Sequence, residues 1–396
     1  MPPPRARWGI LLAMLFITMV GPYNFMKASP ILQSLAVEFS LTPALAGLFM
    51  GIFGITMALL SLPGGIMVAS YGSKRIGMAG LISIIIGTGL GSIAMNVQVL
   101  YFGRLLEGVG MALLVTAAPS LIVLWFTTEE FGRAMGIWSV FFPLASVIAL
   151  NLSGAIGPAY GWRIIWLSGF VYAIIMCAVL AIIKEKPMTN PTHVSGEQTK
   201  SRARFVFAPY RQALASIDMW LVSLAYLGAF APVLAFGTWA PTYFNLARGL
   251  PLDYAAFIAG LFFLAVIPGS FVGGIVSDRL RSRKRVYLPS IILPPILFSL
   301  LPYTPAEALP LVVLISGFAA GNGPPALFAC APEILGGLAP IGLGMLNTAI
   351  GVGLLCGPAV FGLIYQMTGS WIVAFDALVA FGVAGVILGW LPKGIR

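Results

Sequence analysis

Gly65-Ile-Met-Val-Ala69-Ser-Tyr-Gly72-Ser-Lys74-Arg75 and Gly274-Ile-Val-Ser-Asp278-Arg279-Leu-Arg-Ser-Arg283-Lys284-Arg285 read as two copies of one element. The leading glycine and the fifth position recur at an offset of 209 residues, and each copy closes a long apolar run with a basic turn. In a chain of 396 residues, that offset points to a parallel duplication of a six-span unit.

Outward from these copies the chain carries few charges: 59% of residues are hydrophobic and 9% charged, with a mean hydropathy of +0.99. Ordinary soluble domains carry about 25% charged residues, so a soluble globule of this composition could not cover its surface. Disorder requires the opposite composition. A spanning helix takes about 20 apolar residues. Charge-poor runs at 8–26, 39–73, 134–162, 164–183, 219–247, 254–277, 286–306 and 308–332 hold one span each. The stretches between Arg75 and Glu129 and at 334–392 hold two each. The expected architecture is an all-α membrane protein with twelve transmembrane helices in two pseudo-symmetric six-helix bundles. The bundles cover 1–183 and 218–396, and a polar linker with the only histidine, His193, occupies 184–217.

The charge distribution gives an orientation. With the N-terminus inside, 18 of the 22 lysines and arginines fall on inside segments, and the outside loops hold only Arg163 and Arg248. That bias predicts cytoplasmic termini. The net charge of +10 then reflects the membrane, not nucleic acid. Cys177, Cys330 and Cys356 lie far apart in apolar stretches, with no metal or disulfide spacing.

These motifs, in this order, resemble the major facilitator superfamily over essentially the whole chain. The second copy matches its loop signature Gly-x-x-x-Asp-Arg-x-Gly-Arg-Arg through Asp278 and Arg279, whereas Ala69 and Ser70 depart from it in the first. Arg104-Leu-Leu-Glu107-Gly-Val-Gly110, Arg133-Ala-Met-Gly136 and Gly161-Trp162-Arg163 are similar to further family motifs. Trp239-Ala-Pro241-Thr-Tyr243-Phe and Ile267-Pro-Gly-Ser270 look like the cyanate/nitrite-porter branch, although span 1 reads Tyr23-Asn24-Phe25-Met26-Lys27, without that branch's arginine. The resemblance implies a central cavity lined by spans 1, 4, 7 and 10 and gating loops at Gly65, Lys74, Arg75, Asp278, Arg279 and Arg283. Asp278 would latch the inward end, and the altered first copy implies an asymmetric latch.

Ionisable groups inside a membrane are costly and mark candidate sites. Lys27 falls near the outer end of span 1, where it either faces the cavity or snorkels to the interface. Arg104 falls at similar depth in span 4; two cations in one cavity wall would suit an anion, and Arg can bind an oxyanion bidentately. The alternative is an Arg104–Glu107 pair at i, i+3. Glu107 is the candidate for a coupled proton. Tyr23, Asn24, Asn151, Trp239, Tyr243, Asn322 and Asn347 are the polar substrate-binding candidates, with hydrogen bonding between helices as the alternative role. Asp376, on span 12, reads as a packing or interface residue.

The expected function is secondary transport of a small, anionic solute by alternating access, with a proton-coupled exporter of amphipaths as the alternative. No phosphate-cradling Gly-x-x-x-x-Gly-Lys-Ser/Thr and no His-Glu-x-x-His occur. Neither ATP drive, an enzyme activity, a metal nor a cofactor is therefore expected. A monomer in a plasma-type inner membrane is.

Overall fold

The computed structural model describes residues 4–126, 128–183 and 210–395, and these contain helices but no strand. Most of the linker, 184–209 with His193, lies outside the described residues. Ten helical stretches of ordinary length are apolar enough to cross a bilayer, and an eleventh, Ala306–Thr368, has 63 residues. A helix of that length would rise about 95 Å against a hydrocarbon core of about 30 Å. It breaks at the short 3-10 turn Gly336–Leu338, which makes twelve crossings among the described residues.

Spans 1 to 4 are Pro4–Met26, Pro43–Tyr71, Ser73–Ser92 and Val97–Val123. Span 5 is built from Thr128–Trp138 and Phe141–Tyr160, and span 6 is Trp162–Ile182. Spans 7 to 12 are Ile217–Leu246, Leu252–Leu280, Lys284–Leu300, Leu309–Leu335, Ala339–Thr368 and Trp371–Trp390. Two features go beyond the sequence reading: the break in span 5 and a short helix, Leu32–Glu38, between spans 1 and 2.

Local chemistry sets the boundaries. Thr42 and Asn96 cap spans 2 and 4, their side chains accepting from the N–H of Leu45 and Val99. Gly72 (φ +87°) and Gly161 (φ +79°) each make the one-residue turn between successive spans, a conformation that costs glycine little. Large aliphatic residues such as Leu59, Ile86, Ile175 and Ile387 remain exposed on the outside of the bundle, as a lipid-facing surface requires.

The turns at Gly72 and Arg281 and the C-terminal Lys393 mark one end of the molecule, here the basic end; Glu38, Gly161 and Gly249 mark the far end. Spans 2 and 11 meet backbone to backbone toward the far end. A Cβ built on Gly47 would lie 2.2 Å from the Pro358 carbonyl oxygen, and one on Gly54 2.2 Å from that of Gly351. Gly65 lies on the same helical face as Gly54, about three turns nearer the basic end, and a Cβ there meets nothing within 4 Å. Spans 5 and 8 also meet toward the far end, where Gly154 abuts Ala256 and Asn151 abuts Gly260. The two halves are thus joined at the far end and part along span 2 toward the basic end.

Candidate functional site

A helix ending inside a membrane leaves its last carbonyls without donors. Span 1 ends this way at Met26. The N–H of Lys27 serves Tyr23 O, and that of Ser29 serves Met26 O. The two remaining carbonyls, of Asn24 and Phe25, accept from Arg104 Nη1 at 2.6 Å and Nη2 at 3.1 Å. The Arg104 guanidinium of span 4 therefore caps span 1. It also meets Glu107 Oε2 at 3.0 Å, the i, i+3 pair anticipated from the sequence, and stands 4.4 Å from the Phe53 ring centre.

Lys27 completes the cluster. Its Nζ is 2.6 Å from Asn24 Oδ1, 2.7 Å from Thr88 Oγ1 and 3.2 Å from Glu107 Oε1, and lies 4.6 Å over the Trp166 ring. Thr88 passes its own hydrogen to the Trp166 carbonyl. Gly169 makes room for the pair, since a Cβ there would sit 2.3 Å from Asn24 Oδ1. Lys27, Arg104 and Glu107 are all fully buried, so Lys27 turns inward instead of snorkelling. Two cations share one carboxylate, which leaves a formal charge of +1 inside the N-terminal half. Burying such a cluster is costly, and near-complete pairing offsets the cost; only Arg104 Nε within it lacks a partner.

The other polar candidates are dispersed. The Tyr23 hydroxyl is 2.7 Å from Ser168 Oγ on span 6, and its ring meets Tyr172 edge-on. Asn151 and Asn322 each donate to a carbonyl of their own helix, Val147 and Phe318. Trp239 donates to Pro358 O at 3.0 Å and stacks on Phe361. Tyr243 packs against Trp371 and Phe375 of span 12. Asn347 is half-buried on span 11, next to Thr348, whose hydroxyl lies 3.4 Å from Ala58 O in the other half. Asp376 is exposed on span 12. Thr88 and Trp166 escape sequence reading because neither charge nor motif marks them.

At the basic end, Arg283 binds Asp278 Oδ1 at 2.6 Å, Glu333 Oε1 at 2.8 Å and Ser277 Oγ at 2.8 Å. Burial opposes its charge, but the hydrogen bonds and charges of Asp278 and Glu333 outweigh burial and raise its pKa above the usual arginine value. Asp278 thus pairs within its own half. Lys74 Nζ donates to the carbonyls of Ala181 and Ile183 at the end of span 6. Lys284 does the same for Trp390 and Pro392 after span 12. Gly65, Arg75 and Arg279 are exposed.

Twelve apolar crossings in two repeated halves, joined at one end and parted at the other, with charge buried within one half, define a polytopic membrane transporter. The sequence model of the Major Facilitator Superfamily matches residues 11–339 and 252–394. The chain belongs to that family. It is 26% identical to a probable sulfoacetate transporter of Cupriavidus necator and 25% identical to a probable galactarate/D-glucarate transporter of Bacillus subtilis. Both comparisons cover 96% of this chain and 90% of the relative. The crystal structure of a bacterial homolog to the human lysosomal transporter Spinster has the same fold, with a TM-score of 0.74 at 19% identity. That match covers 98% of this chain and 96% of the other.

Proposed function

We propose that this protein moves a small organic anion, bearing a carboxylate or sulfonate, across a plasma-type membrane by alternating access. The observation that carries the reading is the buried Lys27–Glu107–Arg104 cluster, whose formal excess of one positive charge sits where span 1 ends. The two relatives above are named for a sulfonated acid and for sugar diacids, which supports the same substrate class. Bundles 1–183 and 218–396 act as two bodies tied by 184–217, with the basic end cytoplasmic. Lys27 and Arg104 supply the attraction for the anion. Tyr23, Asn24, Asn151, Trp239, Tyr243, Asn322 and Asn347 contribute polar contacts as the halves move. Glu107 carries the coupled proton. The loops at Gly65, Lys74, Arg75, Asp278, Arg279 and Arg283 gate the basic end. The working unit is a monomer.

A second reading, export of amphipaths, has one observation in its favour. Phe142 of span 5 meets Phe230 and Phe263 of the other half at 6.0 and 6.3 Å, so the seam there is aromatic.

Uptake into proteoliposomes decides between the two. The panel comprises sulfonated acids, sugar acids, short carboxylates, cyanate, nitrite and cationic amphipaths. Saturable uptake of an organic acid, together with a ligand-induced rise in stability of about 2.7 kcal/mol at a hundredfold excess over Kd, is the expected outcome. A response to amphipathic cations alone would overturn it.

A further inference from the structure

Span 7 contains Pro241, which has no N–H to offer the Gly237 carbonyl four residues earlier. Inside a membrane such a carbonyl needs another donor. Two hydroxyls stand nearby on the same helix, Thr238 and Thr242, yet both are buried without a hydrogen-bond partner. The donor comes from the other half of the protein. Ser29 Oγ, fully buried in the turn after span 1, lies 2.7 Å from Gly237 O and 2.8 Å from Thr238 O. Its single hydrogen is shared between the two.

Three observations place this contact at a pivotal point. Thr238 is 209 residues beyond Ser29, the same offset that relates the two repeats. A residue that touches its own equivalent lies at the pseudo-two-fold axis between the halves. The contact also depends on close approach. A Cβ on Gly237 would be 3.0 Å from Met26 Cε of span 1 and 2.8 Å from Phe263 Cζ of span 8, so a larger residue there would displace the side-chain ends packed around the contact. Finally, Ser29 follows the segment that the buried cluster holds. Arg104 grips the carbonyls of Asn24 and Phe25, and Lys27 is tied to Glu107 and Thr88. The position of Ser29 is thereby fixed from within the N-terminal half.

We infer that Ser29 is a positioning residue of the transport cycle: its hydroxyl, donated to the Gly237 carbonyl stranded by Pro241, holds the far end closed and is released when that end opens. The inference rests on the alternating-access reading. The chemistry suits a reversible contact. In the closed state Ser29 supplies the hydrogen bond. When the halves separate at the far end, water entering the gap supplies it instead, so the carbonyl is satisfied in both states. The ion cluster, by fixing the end of span 1, sets how well Ser29 meets span 7. A change at the cluster is thus passed to the far-end closure through one hydrogen bond.

The test uses the full-length protein in nanodiscs, with Cys177, Cys330 and Cys356 replaced by serine. Spin labels go at Val37→Cys and Met367→Cys, both exposed at the far end on opposite halves. Pulsed-dipolar distances then report the closed and open populations without any substrate. Ser29→Ala is expected to raise the open-to-closed ratio about fivefold, the factor implied by one ordinary hydrogen bond. Pro241→Ala restores an N–H for Gly237. In that background Ser29→Ala should change the ratio by less than twofold, a dependence that general loss of packing would not show. A wild-type distance distribution in Ser29→Ala would overturn the inference, as would an equal shift in both backgrounds. If the distances behave as expected but no organic anion is transported, the substrate reading fails and the role of Ser29 stands.

Discussion

An offset of 209 carries Lys27 to Phe236, Arg104 to Val313 and Glu107 to Ser316, and all six residues are fully buried. Where the N-terminal half holds an ion cluster, the C-terminal half holds rings. Phe236 stacks on Phe298 at 4.4 Å with 3° between planes and packs on Phe262 at 5.1 Å. The ends of the two halves are alike, however. Lys74 caps span 6, and Lys284 caps span 12, with the second loop one residue longer and passing through Arg281 at φ +48°. Repeated backbone termini impose the same demand for donors in both halves, and both meet it with lysine. Nothing of that kind constrains the interiors. An aromatic interior tolerates small shifts, because dispersion is non-directional, whereas an ionic one fixes distances. The N-terminal half is therefore the geometrically specified partner.

The largest test of this difference is Glu107→Gln, which leaves two buried cations facing each other. It should cost about 3–5 kcal/mol, whereas Ser316→Ala, which loses only a hydroxyl bonded to its own helix at Val312 O, should cost no more than about 1.5 kcal/mol. Thermal unfolding of the two purified variants decides, and a smaller loss for Glu107→Gln would break the comparison. Next in size is Gly54→Ala at the seam between spans 2 and 11. The new Cβ overlaps the Gly351 backbone, so transport should fall and stability drop by about 1–3 kcal/mol. Gly65→Ala, on the same face in open space, should not lower the melting point, so a fall in uptake there would report its gating role alone.

Lys74→Met and Lys284→Met sharpen the likeness instead. Each removes the donor from one helix end and should cost about 1 kcal/mol; melting points that differ widely between the two would end the claim of equivalent caps. Among the charged loop residues the smallest effect belongs to Asp278→Asn, since the aspartate side chain is 74% exposed. Its stability change should stay below about 1 kcal/mol. An unchanged transport rate together with an unchanged distribution of states would remove any latch role for Asp278.

The fold was legible because hydropathy and charge act over whole spans. The duplicated loops at Gly65 and Gly274, and the charge-free runs between basic turns, mark twelve crossings without any tertiary information. The break in span 5 was not legible from hydropathy, since it falls between Trp138 and Phe141, where Ser139 alone interrupts the apolar run. Of the site, the pairing of Arg104 with Glu107 followed from i, i+3 spacing. That Lys27 joins them could not be read, because it depends on Thr88 and Trp166 from two other spans. Ser29 carried no signal of its own, whereas Pro241 did: a proline inside a span always strands a carbonyl, and the question of what serves it could have been asked of the sequence. The likeness of Trp239–Phe244 to cyanate/nitrite porters pointed to a small anion without separating inorganic ions from short carboxylates, and the relatives described above are named for organic acids.

The seam between spans 2 and 11 has a thermodynamic consequence beyond close packing. Ordering a leucine side chain costs about 0.5–1 kcal/mol in lost rotamer freedom, and a seam of leucines would incur that loss at each residue every time it closed. At Gly47, Gly51 and Gly54 the seam is backbone against backbone, and glycine has no rotamers to lose. In the alternating-access cycle proposed above, closing and reopening this face would therefore change little side-chain entropy, which favours a small free-energy gap between the joined and parted arrangements.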